Sequence, residues 1–257
     1  RLRDRGFVVA QSGRGSLACG DEGEGRLLEP EEILQIIFAE PKGRVLITGG
    51  ATREPIDGIR FISNVSTGQT AARLCDELSM RGWQVTYLHG ESAVQPARAA
   101  ERMKFSDFRD LDRQLRSSLG SADYRAVVHC AAVSDYSIEN SMPNEKRPTG
   151  DRLTLHLRPN FKILPRLKEY SRRKDLRVIG FKLTLNRNPD ETAAIGRDLL
   201  NDHVDAIVAN EWSAVQSDRS RHPGCLLTRD KSERFDSLAA LADLIDKEIG
   251  GSHDSLS

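Results

Sequence analysis

Apolar residues fall in short blocks along the chain, and the spacing inside each block separates strands from helices. Residues 44–50, RVLITGG, form a β-branched run closed by two glycines, which predicts a buried strand entering a tight turn. The strand pattern recurs at QVTYLHG (84–90), YRAVVHCAAV (124–133), LTLHL (153–157), RVIGFKL (177–183) and DAIVAN (205–210). Between these runs the apolar positions take helical spacing. Ala71, Leu74, Cys75 and Leu78 predict a helix capped by Ser66 or Thr67 and closing near Gly82. Part of 98–119, then 163–170 and 190–201, read the same way, while CLLTRD (225–230) and 237–249 predict an edge strand and a covering helix. Strands alternating with helices predict an α/β fold, a doubly wound, mainly parallel Rossmann-like sheet with helices on both faces.

Composition narrows the function classes. With 38% apolar and 30% charged side chains in 257 residues, the chain can bury a real core. Lys plus Arg and Asp plus Glu balance at 38 each, so no global basic field recommends nucleic acid as a partner. No apolar run approaches the roughly 20 residues of a membrane helix, and the first residues lack a secretory stretch, so a cytoplasmic location without membrane attachment is expected. Cys19, Cys75, Cys130 and Cys225 are scattered singly, without the pairing of a metal site or a disulfide framework, and read as small buried hydrophobes. The polar, proline-containing stretch 136–152 is either an active-site flap or a plain surface loop.

A strand ending in Gly-Gly at the carboxyl edge of a parallel sheet is a generic ligand-binding position, because small residues let a phosphate approach the backbone. A dinucleotide fingerprint, however, needs G-x-G-x-x-G opening directly into a helix, and TGGATREPIDG inserts Arg, Glu and Pro instead. The second strand ends in His89 and Gly90 where a ribose-binding acid would sit. Tyr170 and Lys174 form a Y-x-x-x-K, but in a solvated basic run, so an NAD(P)-dependent oxidoreductase is the weaker alternative.

The run ITGGATREPIDGIRFISNVSTGQT, residues 47–70, is far more specific. It resembles the signature of the phosphopantothenate–cysteine ligase family, and the similarity continues through AAVSDY (131–136), Lys146, LTLHLRPN, IGFKL and DAIVAN in family order. Upstream, SGRGSLACGDEGEGRLLEPEEI (12–33) resembles the end of phosphopantothenoylcysteine decarboxylase, a flavoprotein commonly fused in front of the ligase in bacteria. The expected organisation is a decarboxylase remnant plus linker over 1–36, a ligase domain over 37–250 and a disordered tail over 251–257. In the decarboxylase the A-C-G cysteine, here Cys19, is a proton donor; FMN belongs here only if an upstream decarboxylase domain is present, and a fragment of a bifunctional protein is one alternative reading.

The resemblance implies that 4′-phosphopantothenate is activated by CTP or ATP to an acyl-nucleotidylate, with release of pyrophosphate, and then coupled to cysteine. Such a site must neutralise phosphate charge, align the reactants and stabilise a developing oxyanion. By resemblance, Asn64 hydrogen-bonds the acyl carbonyl and Lys146 is the flap lysine over the triphosphate. Arg60, Ala131 and Ala132 are expected to meet the pantothenate substrate. Gly49, Gly50, Asp135, Asn160, Phe161, Lys162, Ile163 and Phe181 are expected around the nucleotide. Mg2+ is expected to arrive with the triphosphate, no protein metal-ligand cluster is expected, and the family forms homodimers. Phe161 and Lys162 depart from the usual proline and acid of bacterial members, and Asp198 and Asp202 stand where two helix lysines are common, with Arg197 as a candidate substitute. Lys182 is similar to the F-K-L-E-T of eukaryotic, ATP-using ligases. These departures leave CTP versus ATP open and make a catalytically impaired nucleotide-binding homologue the remaining alternative.

Overall fold

The computed structural model of the chain describes residues 13–16, 22–26, 28, 30, 33, 40–150, 152–217 and 221–250. Two compact units divide at Lys42 and Gly43. In the first, β1 (Gly13–Ser16) and β2 (Glu22–Arg26) pair antiparallel, with a register irregularity at Gly13 and Arg14. Cys19 and the tail 251–257 lie outside the described residues.

The second unit opens with β3 (Arg44–Gly49), followed by a small antiparallel hairpin of β4 (Arg53–Pro55) and β5 (Phe61–Ser63). Then come α1 (Gln69–Met80), β6 (Gln84–Gly90), β7 (Glu101–Phe105), α2 (Phe108–Ser121) and β8 (Tyr124–His129). An arm of β9 (Tyr136–Ile138) and β10 (Leu157–Pro159) stands apart from the main sheet. A 3-10 turn at Leu164–Arg166 leads into α3 (Leu167–Tyr170), β11 (Arg177–Thr184), α4 (Pro189–Arg197) and β12 (Ala206–Glu211). The unit ends with α5 (Trp212–Ser217), β13 (Gly224–Leu227), β14 (Ser232–Phe235) and α6 (Leu238–Gly250).

Eight strands form one sheet in the order β14-β13-β12-β11-β8-β3-β6-β7; from β12 to β7 every pairing is parallel, and β13 and β14 add an antiparallel edge. Side chains alternate between the two faces, as strand geometry requires. Val45, Ile47, Val85, Val128 and Val208 meet the buried stripes of α1 and α6, whereas Leu46, Leu88, Val127 and Val178 meet Leu111, Leu115 and Leu119 of α2 and Leu167 of α3. With both faces covered, the central strands read as nearly continuous apolar runs, which is why they were legible in the sequence.

Several boundaries differ from expectation for identifiable reasons. The stretch 98–119 contains a strand, β7, before its helix; at the sheet edge only Phe105 of ERMKF is buried, so the apolar pattern is faint. SERF of β14 is the same case. LTLHL (153–157) is not a sheet strand: only Leu157 enters β10, and Leu153 and Leu157 stay exposed, because no layer covers this arm. Ser66 does not cap α1, and Thr67 reaches it only through a long bond in which its hydroxyl oxygen accepts Gln69 N–H (3.4 Å). The N-cap is Gly68 in the left-handed region (φ 71), with no side-chain cap.

Candidate functional site

β3 lies between β6 and β8, and after β3 the chain winds outward through β6 and β7 before returning to β8 on the other side. Strand order therefore reverses at the carboxyl ends of β3 and β8, where open α/β sheets bind ligands. The loops leaving these strands are zipped together: Ala132 N–H donates to Gly50 O (2.8 Å) and Thr52 N–H to Ala132 O (3.2 Å). Ser134 N–H donates to Thr52 Oγ1 (2.9 Å), whose hydroxyl lies 2.9 Å from Ser134 Oγ.

Beneath this zipper, Ala131 N–H donates to Thr48 Oγ1 (3.1 Å), leaving the Thr48 hydroxyl proton for His129 Nδ1 at 2.9 Å. Burial pushes His129 down to about 4, so its ring is neutral and can accept that proton. The backbone of Ala131 and Ala132 is thus held from both sides.

The signature loop folds back onto the same place. Ser63 Oγ donates to Thr52 O (2.8 Å) and Asn64 Nδ2 to Val133 O (3.1 Å), so Asn64 is tied to the chain just after Ala131 and Ala132. Asp57, with its side chain fully buried, takes Ile59 N–H (2.9 Å), Arg60 N–H (2.8 Å), Arg60 Nε (2.9 Å) and Arg147 N–H (3.2 Å). The Arg60 guanidinium and these amides hold the Asp57 carboxyl well below the usual carboxylate range. Arg60 Nη2 also donates to Arg147 O (2.9 Å), and Gly58 N–H to Glu145 O (2.8 Å). Both chain neighbours of Lys146 are therefore tied to the signature loop, while Lys146 itself is exposed and has no hydrogen-bond partner among the described residues. Arg60 serves first as the clasp of this segment; part of its side chain remains open to solvent.

A second group gathers where β8 and β10 end. Asn160 N–H donates to Asp135 O (2.8 Å) and Asn160 Nδ2 to Ser134 O (3.1 Å), joining the two loops. Lys162 Nζ pairs with Asp135 Oδ1 at 2.5 Å, both side chains exposed. Phe161 packs edge-on against Phe108 (centroids 4.9 Å) beneath the Arg166 guanidinium (4.0 Å). Ile163 is a core side chain, so only its backbone is available to a ligand.

A cavity of about 500 Å³ joins these loops to α1; Ala131, Ala132 and Phe181 line it, together with Gly68, Gln69 and Thr70 of the α1 start. No acidic residue occupies the first turn of α1. A helix N-terminus without a side-chain cap attracts anions through its unpaired N–H groups. Arg73, Lys182 and Arg221 line the same cavity, a cationic set that sequence reasoning missed apart from Lys182; only the spacing of Arg73 one turn after Gln69 could have signalled it. Gly49 and Gly50 do not line the cavity. A Cβ on Gly49 would lie 2.5 Å from Ala71 Cβ, and one on Gly50 (φ 80) would lie 2.8 Å from Ala93 Cβ, so close packing of the turn explains both.

Tyr170 and Lys174 precede β11 and so lie at the opposite, amino edge of the sheet; the Tyr170 hydroxyl donates to Asp112 at 2.6 Å under the Arg116 guanidinium. That pair is structural. Arg197 lines a separate cavity of about 420 Å³ with Cys225 and Phe235, and Asp202 pairs with Arg229.

The bifunctional coenzyme A biosynthesis protein CoaBC of Thermococcus kodakarensis is 31% identical over 207 residues, covering 78% of this chain and 50% of that protein. CoaBC of Escherichia coli is 31% identical over 224 residues, 82% of this chain and 53% of that protein. The chain thus spans about half the length of these curated relatives. The crystal structure of the DNA/pantothenate metabolism flavoprotein from Streptococcus pneumoniae superposes with a TM-score of 0.72 at 22% identity, covering 82% of this chain and all of that one. A Cab2 complex with phosphopantothenate-cysteine superposes with a TM-score of 0.66 at 20% identity, covering 86% of this chain and 89% of that one. Residues 41–247 match the C-terminal domain family of the DNA/pantothenate metabolism flavoproteins, and the chain belongs to that family.

Proposed function

We propose that the chain is a phosphopantothenate–cysteine ligase of coenzyme A biosynthesis. It joins 4′-phosphopantothenate to cysteine through an acyl-nucleotidylate formed from CTP or ATP, with loss of pyrophosphate. The observation that carries this reading is the convergence of Asn64, Ala131, Ala132 and Asp135 at the switch point, beside a cationic cavity that opens on a helix N-terminus whose N-cap is a glycine. A carboxylate needs a better leaving group before an amine can displace it, and this arrangement suits both halves of that task.

The α1 start, Arg73, Lys182 and Arg221 supply positive potential for the phosphate groups. Asn64 offers a neutral amide donor that strengthens as the acyl oxygen gains charge in the tetrahedral state. Ala131 and Ala132 present backbone to the substrate without a side chain in the way. Asp135, Asn160, Phe161, Lys162 and the Ile163 backbone form the nucleotide end with Phe181, and Lys146 follows departing pyrophosphate from its tethered segment. Because Lys162 already neutralises Asp135, nucleotide binding there exchanges one ionic contact for another.

Among the described residues no group of three or more His, Cys, Asp or Glu side chains is placed to hold a metal ion. The triphosphate is taken as its magnesium complex, because the charge of the departing pyrophosphate needs neutralising.

Ile59, Phe61, Tyr136 and Leu157 are exposed large apolar side chains on the hairpin and the β9–β10 arm, which supports a homodimer formed through this side. No described helix is long and apolar enough to cross a membrane.

Pyrophosphate release is the decisive measurement. Release from CTP or ATP that requires 4′-phosphopantothenate, with phosphopantothenoylcysteine formed on adding cysteine, is the expected result. In Asn64→Ala the acyl-nucleotide should accumulate. Nucleotide binding without pyrophosphate release would overturn the ligase reading in favour of an inactive homologue.

A further inference from the structure

Glu54 is nearly fully buried, at 4% exposure, in the middle of the signature motif, and the proposed mechanism leaves it unused. Its two carboxyl oxygens reach the same destination by different routes. Oε1 accepts Phe108 N–H (3.0 Å) at the start of α2, and the Phe108 ring packs edge-on against Phe161. Oε2 lies 2.8 Å from Ser137 Oγ, which lies 2.9 Å from Asn160 Oδ1. Both routes end in the loop that carries Asn160 and Phe161.

Counting protons along the second route fixes the state of the acid. Asn160 Nδ2 donates to Ser134 O (3.1 Å), which orients the amide so that its oxygen faces Ser137. Ser137 has a single hydroxyl proton and two oxygen neighbours. If Glu54 were ionised, the hydroxyl would turn to the carboxylate and leave a lone pair facing the Asn160 oxygen. Both Ser137 contacts carry a proton when Ser137 donates to Asn160 and Glu54 donates to Ser137.

We propose that Glu54 is a positioning residue that acts as a neutral carboxylic acid, holding the Asn160–Phe161 loop in its nucleotide-binding conformation through Ser137 and Phe108; this rests on the nucleotide role assigned to that loop above.

Burial raises the Glu54 pKa above its ordinary value and outweighs the hydrogen bonds with Ser137, Phe108 N–H and Thr52, which lower it; the Asp107 carboxylate at the α2 cap adds to the rise. Chain neighbour Arg53 does not offset this, since its guanidinium pairs with Glu91. Across the loop, the Lys162 and Asp135 charges are spent on each other. As pH rises past the Glu54 pKa, the proton leaves, Ser137 turns to the carboxylate, and the Asn160 amide loses its partner.

The test compares wild type, Glu54→Gln and Ser137→Ala across pH. Gln keeps both a donor toward Ser137 and an acceptor for Phe108 N–H, and it cannot ionise. Wild type should show a nucleotide KM that rises on the order of tenfold as the pH passes through the Glu54 titration, with kcat changing less; Glu54→Gln should lose that limb while keeping the low-pH KM, and Ser137→Ala should have a raised KM at every pH. On the unliganded protein, infrared titration should show a protonated-carboxyl C=O band that disappears as the pH is raised and is missing in Glu54→Gln. A rising limb retained in Glu54→Gln, or a carboxyl band unchanged by that substitution, would overturn the proposal. The infrared measurement needs no turnover, so failure of the ligase reading would show as absent pyrophosphate release with the carboxyl band intact.

Discussion

At the scale of single residues the site is built from side chains that hold backbone, rather than from a dense array of acids and bases. Asp57 is the clearest instance, since one buried carboxylate collects three backbone amides and a guanidinium and so joins Arg60 to the segment carrying Lys146. Asparagine has the same shape but only one acceptor oxygen, and its amide group would face the donors it should satisfy. In Asp57→Asn the clasp should therefore loosen and turnover should fall by at least about tenfold, because a misplaced flap cation no longer meets the phosphates. Steady-state pyrophosphate release measures this, and native turnover in the variant would show that the clasp is not needed. The carboxyl is also held below its ordinary value of 3.8, so the stabilisation it gives is present above that pH and is shed as the pH falls further. The motif made Arg60 and Asn64 legible because they are polar residues in a rare order. It did not reveal that Asp57 and Glu54 organise them, since an acid in a loop looks the same in sequence whether it faces water or is buried.

At the scale of elements, two helix starts divide according to their distance from the site. α4 carries a complete capping box: Asn188 accepts Asp190 and Glu191 N–H groups, Glu191 returns a bond to Asn188 N–H, and Pro189 occupies the first turn. α1, which borders the cavity, has no capping box and begins at a left-handed glycine, with only a long bond from Gln69 N–H to Thr67 Oγ1 (3.4 Å). Such a start leaves N–H groups for the anion site proposed above. Asn188→Ala should cost about 1 kcal/mol of stability in urea titration and leave nucleotide KM unchanged. Gly68→Ala should do more, because a Cβ there would lie 2.8 Å from Ala93 Cβ and 3.0 Å from Gly50 N at a φ of 71. A loss of about 1–3 kcal/mol is expected, together with weaker binding of 4′-phosphopantothenate by calorimetry. Unaltered affinity in Gly68→Ala would separate the α1 start from the phosphate site. Sequence placed both helices but assigned the α1 cap to Ser66 or Thr67; Thr67 does accept Gln69 N–H, whereas the N-cap position itself is Gly68, and a glycine cap leaves less compositional trace than a polar side chain.

At the scale of the whole molecule, the alternation of strand and helix made the α/β class legible, and the apolar runs located every central strand. The order of the strands was not legible, nor were the edges β7 and β14, where a single covered face leaves too few apolar residues to register. Of the buried histidines, His129 and His222 are pushed down to about 4 by desolvation, and His222 Nε2 has no hydrogen-bond partner among the described residues. In the unfolded chain each returns to the ordinary value of about 6.5. Between these values the unfolded state binds more protons than the folded one, so stability rises with pH across the window and is lost as the pH falls through it. Each histidine can contribute on the order of 3 kcal/mol to that loss, a large share of a typical domain's stability. Urea midpoints measured from pH 7.5 down to 4.5 should therefore decline before most carboxylates titrate. His222→Phe should flatten part of the decline, because Phe235 already stacks on that ring (6.5 Å between centroids) and an apolar ring leaves no unpaired nitrogen. A wild-type midpoint that stays level over this range would mean that both rings reach water or a proton partner in solution, and the tight packing assigned to the carboxyl edge of the sheet would fail with it.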